Sequence, residues 1–298
     1  MCLIVFSWQP DAETPLVLLA NRDEFFERAA EPMHWWRDRP SVLAGRDLRG
    51  GGTWMGINRA GRFAALTNFR DGRAPMAPKD APSRGLLVSA MLDDTPLDAD
   101  LARVEKHAHD YAGFNLLAGD LPGRKLFWLG NRDQRGSTDD RSDGAAGDHV
   151  RMNGAAVTLP AGVGLPIAHA IAPGVHGLSN ALLDTPWPKL VSRRNALSAA
   201  LADNAANADD ATLLRLMRDA TEAPDDALPE TGVPHPWEKT LSAAFIASPA
   251  YGTRCTTLLR YHRDGRVDMV EATVTPGQSP SELSDQRSFA FTVETLRN

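Results

Sequence analysis

Apolar positions along this chain fall mostly into short blocks broken by Gly, Pro and Asp. Residues 2–8 and 16–20 are continuous apolar, β-branched and aromatic runs, the pattern of strands buried on both faces. Residues 53–58 and 62–67 flank Ala60-Gly61, and 114–119 and 125–129 flank Pro122-Gly123. Both pairs predict hairpins, and Pro followed by Gly predicts a type II turn in the second. Asp264-Gly265, between 254–262 and 266–274, is the strongest short hairpin signal in the chain. Residues 175–179, 243–247 and 288–293 predict further strands. Helical spacing occupies the middle of the chain. Residues 83–92 predict one helix, and Leu97, Leu101, Val104, Ala108 and Tyr111 mark the apolar face of a second over 97–111. Asp184-Thr185-Pro186 predicts the start of a third helix, running to about 202, and 209–220 predicts a fourth. Pro224, Pro229 and Pro234 make 221–235 a connecting loop. The Gly-, Asp-, Ser- and Arg-rich stretch 134–161 has little periodicity, and an exposed loop is expected near 134–150.

Hairpins at both ends with helices between predict an α+β fold of antiparallel sheets with segregated helices, not βαβ winding. At roughly 150 residues per domain, 298 residues are nominally two domains, but layered folds reach this size as one. A single domain over 1–298 is expected.

Composition narrows the function classes. Lys and Arg total 32 against 38 Asp and Glu, a net charge of −6, which argues against a protein that coats nucleic acid or anionic membrane. Two cysteines exclude a disulfide scaffold and a Cys-rich zinc module. The longest weakly polar stretch, 161–175, contains Gly162, Gly164, Pro166 and His169 and is too short to span a membrane. The N-terminus lacks the basic region and long apolar core of a secretory signal, so a cytoplasmic location is expected. No GxGxxG, Walker A, HExxH or CxxC motif is present, and no repeat of 20–50 residues. The eight histidines show no ligand spacing; His107 and His109, two apart, fall on different helix faces. No metal is expected.

Cys2 is the first candidate for chemistry. As a lone residue in an apolar run it is a small core side chain. As the mature N-terminus, after loss of Met1, it would carry a thiol and an α-amine with a pKa of about 7.7–8.0, a nucleophile and its base on one residue. Asn21-Arg22-Asp23-Glu24 follows the second apolar run. It is either a solvated charged turn or a strand end beside Cys2. In the second case Arg22 would lower the thiol pKa and Asp23 would hold the amine. Asn68, Asn180 and Arg254 each stand at the edge of an apolar run. Asn can donate to a developing oxyanion or close a turn, and Arg can pair with an anion. His34-Trp35-Trp36 lines a pocket or packs in the core. Cys255 follows Arg254 directly, so on a strand it should point to the opposite face and into the core.

Several blocks together resemble one family. They are Cys2-Leu-Ile-Val-Phe, Leu19-Ala-Asn-Arg-Asp-Glu-Phe25, Gly51-Gly-Thr-Trp-Met-Gly-Ile57, Ala65-Leu-Thr-Asn68, Gly113-Phe-Asn-Leu116, Gly177-Leu-Ser-Asn180 with Thr185-Pro-Trp187, and Tyr251-Gly-Thr-Arg254. The chain is similar to the NRDE family, that of transport and Golgi organisation protein 2, and the blocks span nearly its whole length. That family resembles N-terminal nucleophile (Ntn) hydrolases of the choloylglycine hydrolase and penicillin V acylase branch. The resemblance implies a four-layer αββα sandwich. It also implies an N-terminal Cys attacking a non-peptide amide, with Cys2, Arg22, Asp23, Asn68, Asn180 and Arg254 as site residues. Hydrolysis of this kind requires no cofactor. In the acylase branch the Arg and the Asp are separated by two residues, whereas Arg22 and Asp23 are adjacent and point to opposite faces unless the strand ends at Asn21. The family is also linked to haem mobilisation and to acyl lipid or acyl-CoA homeostasis. Two functions follow: a cysteine amidohydrolase acting on a small molecule, or a non-catalytic carrier of haem or an acyl lipid.

Overall fold

The computed structural model describes residues 2–74, 81–132, 149–152, 155–158, 167–204 and 208–294. Its strands form two large antiparallel sheets. The first contains β1 (Cys2–Trp8), β2 (Leu16–Phe25), β12 (Gly174–Leu178), β13 (Tyr251–Tyr261), β14 (Arg266–Thr273) and β15 (Gln286–Thr292), in the order β12-β1-β2-β13-β14-β15. The second contains β3 (Ala30–Trp35), β4 (Val42–Asp47), β5 (Met55–Asn58), β6 (Arg62–Asn68), β7 (Phe114–Asp120), β8 (Lys125–Gly130) and β11 (His169–Ala170), in the order β11-β8-β7-β6-β5-β4-β3. A separate hairpin joins β9 (His149–Met152) and β10 (Ala155–Thr158). The helices are α1 (Arg84–Met91), α2 (Leu97–His107), α3 (Pro188–Asn204), α4 (Asp210–Leu216) and α5 (His235–Thr240).

Side-chain alternation sorts these elements into layers. Ile4, Phe6 and Trp8 meet Phe63, Leu117 and Leu126 between the two sheets. Leu3 and Val5, on the other face of β1, pack against Leu190 and Leu197 of α3 and Leu213 of α4. Phe114, Leu116 and Ala118 of β7 pack against Leu87 and Val88 of α1 and Leu101 and Val104 of α2. The result is the expected four-layer αββα sandwich. Strands β1 and β2 are both interior strands of the first sheet, covered on both faces, and this is why their sequences are continuous apolar runs rather than alternating ones. Among the described residues no helix is long and apolar enough to cross a membrane.

The differences from expectation have local causes. The charged run 21–24 is strand, not turn: β2 extends to Phe25 because β13 pairs with it along that whole length. Strands β3 and β4 have too little apolar periodicity to be seen in the sequence. The apolar stretch 243–247 is not a strand; its backbone is held by Asp219 O, which accepts from Phe245 N at 2.8 Å, and by Thr253 Oγ1, which accepts from Ile246 N at 2.9 Å. Asp184 is not a helix cap. It adopts φ 57 and its carboxylate accepts from Gly177 N at 2.8 Å, while α3 starts at Pro188. The turn after β7 is not type II. Arg124 N donates to Leu121 O at 3.0 Å and Arg124, not Gly123, takes the left-handed φ of 54. Most of the expected loop near 134–150 lies outside the described residues.

Candidate active site

Strand register builds the site. Cys2 lies opposite Arg22 on β2, and Arg22 lies opposite Cys255 on β13. Opposed residues share a face. The three therefore form a row across adjacent strands, on the face that Ile4 turns toward the second sheet. This row lines a cavity of about 620 Å³, bordered also by Asn68 at the end of β6, the 50–54 loop, and Ser83, Arg84 and Gly85 at the start of α1. Gly52 lets the loop lie against α1: a Cβ there would stand 2.3 Å from the Gly85 carbonyl carbon.

The Cys2 thiol is buried, 7% exposed. Burial pushes its pKa up and the Asp23 carboxylate adds to this, while the Arg22 guanidinium and the Asp23 N–H pull it down. The lowering expected from Arg22 is present, but burial outweighs it. At neutral pH this thiol holds its proton and needs a base to become a nucleophile.

Because β2 continues past Asn21, the Asp23 side chain leaves the strand on the opposite face to Arg22, although the residue still borders the cavity. Its carboxylate accepts from Thr253 Oγ1 at 2.8 Å, and Tyr251 Oη donates to its backbone carbonyl at 3.1 Å. Burial raises the Asp23 carboxyl, opposed by the Lys189 cation and the Thr253 hydrogen bond. Lys189 is 6% exposed and donates to Leu241 O at 2.8 Å. Burial, with the nearby Arg70 charge, takes its ammonium down to about 8. Asp23 and Lys189 thus form a buried charged station behind the first residues of β1.

Asn68 and Asn180 play different parts. Asn68 lines the cavity, and its side-chain amide makes no hydrogen bond with another described residue. Asn180 is fully buried and is not part of the cavity wall; its Nδ2 donates to Asn68 O at 3.0 Å. The same corner is stitched by Arg70 N donating to Asn180 O at 2.7 Å and Asn115 Nδ2 donating to Ala181 O at 2.7 Å. Thr67 Oγ1 also donates to Ser179 O. Together these tie the end of β6 to the segment after β12, and so one sheet to the other.

Arg254 is the extra residue of a bulge, where the β13 register shifts between Thr253 and Cys255. The bulge puts both Arg254 and Cys255 on the cavity wall. Cys255 is buried as expected, 7% exposed, but it does not turn away from the site. Arg254 Nη1 donates to Phe25 O at 2.8 Å and Arg28 O at 3.0 Å. Trp35 and Trp36 do not line this cavity. Trp36 is buried beneath Arg46, and Trp35 packs on Phe291.

Sequence reasoning missed Lys189, Arg84, Thr253 and Glu271. Glu271 had a signal: a carboxylate inside the apolar run of β14, now 4% exposed and accepting from Met33 N at 2.6 Å. Lys189 and Arg84 had none, since each is one charge near a helix start. Among the described residues no three His, Cys, Asp or Glu side chains converge on a metal position.

Fold and site together define a class: αββα sandwiches with a cysteine at the head of the first central strand, facing an intersheet cavity. Within it, the model of the Transport and Golgi organisation 2 family matches residues 1–276, and the chain belongs to that family. It is 32% identical over 288 residues to the Transport and Golgi organization protein 2 homolog of Bos taurus, covering 91% of this chain and 92% of that one. It is 30% identical over 314 residues to the Homo sapiens homolog, covering 99% and 100%. Among solved structures, it is similar to the N-acylethanolamine-hydrolyzing acid amidase ortholog of Caenorhabditis elegans, with TM-score 0.45, 6% identity and 87% and 92% of the two chains covered. A variant of the conjugated bile acid hydrolase from Clostridium perfringens gives TM-score 0.44 at 9% identity, covering 100% and 99%.

Proposed function

We propose that the protein is a cysteine amidohydrolase acting on a small non-peptide amide, with Cys2 as nucleophile after removal of Met1. The observation that carries this reading is the placement of Cys2 on the wall of a 620 Å³ cavity, opposite Arg22 and sharing that wall with the unengaged amide of Asn68. The α-amine of Cys2 takes the thiol proton. The thiolate attacks the amide carbonyl, and Asn68 donates to the oxyanion. The α-ammonium then protonates the leaving amine, leaving a thioester. Water, deprotonated by the same amine, releases the acid and regenerates the thiol. Asp23, with Lys189 behind it, holds the amine in place. Asn180 acts through Asn68 by fixing its backbone.

The haem form of the carrier reading needs a ligand for iron, and among the described residues lining the cavity only the two cysteines offer a soft donor; the acyl-lipid form needs no such ligand, and calorimetric titration of a Cys2→Ala chain with an acyl-CoA tests it. No observation favours either form over hydrolysis.

Intact mass and a screen of small amides test the proposal. The expected result is a chain lacking Met1, hydrolysis lost in Cys2→Ser, and a loss of about 10²–10³ in rate for Asn68→Ala. Active protein that retains Met1, or full activity in Cys2→Ala, contradicts it.

A further inference from the structure

A chain of net charge −6 lines one cavity with six arginines against five carboxylates, and only two of the arginines are ion-paired among the described residues. Two of the lining arginines are neutralised: Arg28 holds Asp47 at 2.7 Å, and Arg46 binds both carboxylate oxygens of Asp38, at 2.5 and 2.8 Å. Arg22, Arg49, Arg84 and Arg254 also line the cavity, and none has a carboxylate partner among the described residues. Arg84 donates to Gly113 O at 2.8 Å and Arg254 to the Phe25 and Arg28 carbonyls. These bonds orient the guanidinium groups without cancelling their charge.

Arg22 is the most telling. It is 9% exposed, it stands on the cavity wall between Cys2 and Cys255, and its guanidinium makes no hydrogen bond or ion pair with any described residue. The carboxylates nearby are directed elsewhere. The Asp23 carboxylate accepts from Thr253 Oγ1, Glu271 accepts from Met33 N, Glu31 lies 3.4 Å from His34, and Glu24 lies 4.0 Å from Arg28. A desolvated guanidinium without a partner is costly, and its planar fork fits a carboxylate or phosphate.

We infer that the cavity selects an anionic substrate, an amide with a carboxylate or phosphate close to the scissile bond, held by Arg22 with Arg84 and Arg254 as the flanking cations. This deepens the proposed function and rests on it in taking Cys2 as the attacking group. Recognition of the anion needs no turnover, so the two ideas fail separately.

The test is calorimetric titration of the full-length Cys2→Ala chain with three probes of one acyl length: N-hexanoylglycine, N-hexanoylethanolamine phosphate and neutral N-hexanoylethanolamine. At least one anion should bind about tenfold or more tighter than the neutral probe. Whichever anion leads distinguishes carboxylate from phosphate recognition. Added salt should shrink the preference. Arg22→Gln should bring it close to parity and Arg84→Gln should reduce it, the half-buried Arg84 serving as a second probe if Arg22→Gln does not fold. Equal binding of all three, no saturable binding by millimolar concentration, or a preference untouched by both arginine variants overturns the inference. An anion preference in a wild-type chain that hydrolyses no amide would sink the amidohydrolase reading and leave the anion site standing.

Discussion

Lys189 is a cation held where water barely reaches it, and its effect on stability has a definite sign. In the unfolded chain a lysine titrates at about 10.4, whereas in the fold burial brings Lys189 down to about 8. Between those values the unfolded chain keeps a proton that the folded chain has released. Stability should therefore rise with pH across that window, and the full swing corresponds to about 3 kcal/mol. Comparing denaturant unfolding of wild type and Lys189→Met from about pH 7.5 to pH 10 isolates this group from other titrations. The rise is expected to be smaller in the variant; identical slopes would mean that Lys189 titrates normally. The residue scale also shows where sequence reading stops. Cys2, Arg22, Asp23, Asn68 and Arg254 could be named from motif positions, and all five line the cavity. The different role of Asn180 could not be foreseen, because it depends on a hydrogen bond across 112 residues of chain.

At the scale of elements, strands closed by strong turn signals were legible. Asp264-Gly265 closes β13 onto β14 with Gly265 at φ 88, and Gly61, at φ 80, does the same for β5 and β6. Elements defined by their partners were not legible. The last residues of β2 are charged, and only β13 alongside makes them strand. The triple glycine divides by function within three residues. Gly51 has φ 73 and open space around its α-carbon, whereas a Cβ on Gly52 would meet the backbone of Gly85 at 2.3 Å. Gly51→Ala should destabilise by about 1 kcal/mol through backbone strain alone. Gly52→Ala must push the loop off α1, for about 2 kcal/mol or more, and should also weaken ligand binding in the cavity. Urea midpoints and probe titration on the two variants check both parts, and equal behaviour of the two would refute the distinction.

Across the whole molecule, the layer order followed from hairpins at the ends and helices in the middle, but the joining of the sheets did not. Thr67 carries much of that joint. It is fully buried, it donates to Ser179 O, and it accepts from Asn115 Nδ2 at 3.2 Å. Thr67→Val keeps the shape and strands both partners, so a loss of about 1–3 kcal/mol is expected. It should show as a lower urea midpoint at unchanged slope. The row Cys2, Arg22, Cys255 has a further consequence, for oxidative damage. The two sulfurs sit on strands separated by β2. Two interstrand spacings of about 4.8 Å each put their α-carbons roughly 10 Å apart, beyond the ~7 Å that a disulfide can bridge. Cys255 therefore cannot act as a resolving thiol for Cys2. A peroxide that converts Cys2 to the sulfenic acid meets no internal rescue, and recovery depends on a small thiol entering by the same route as the substrate.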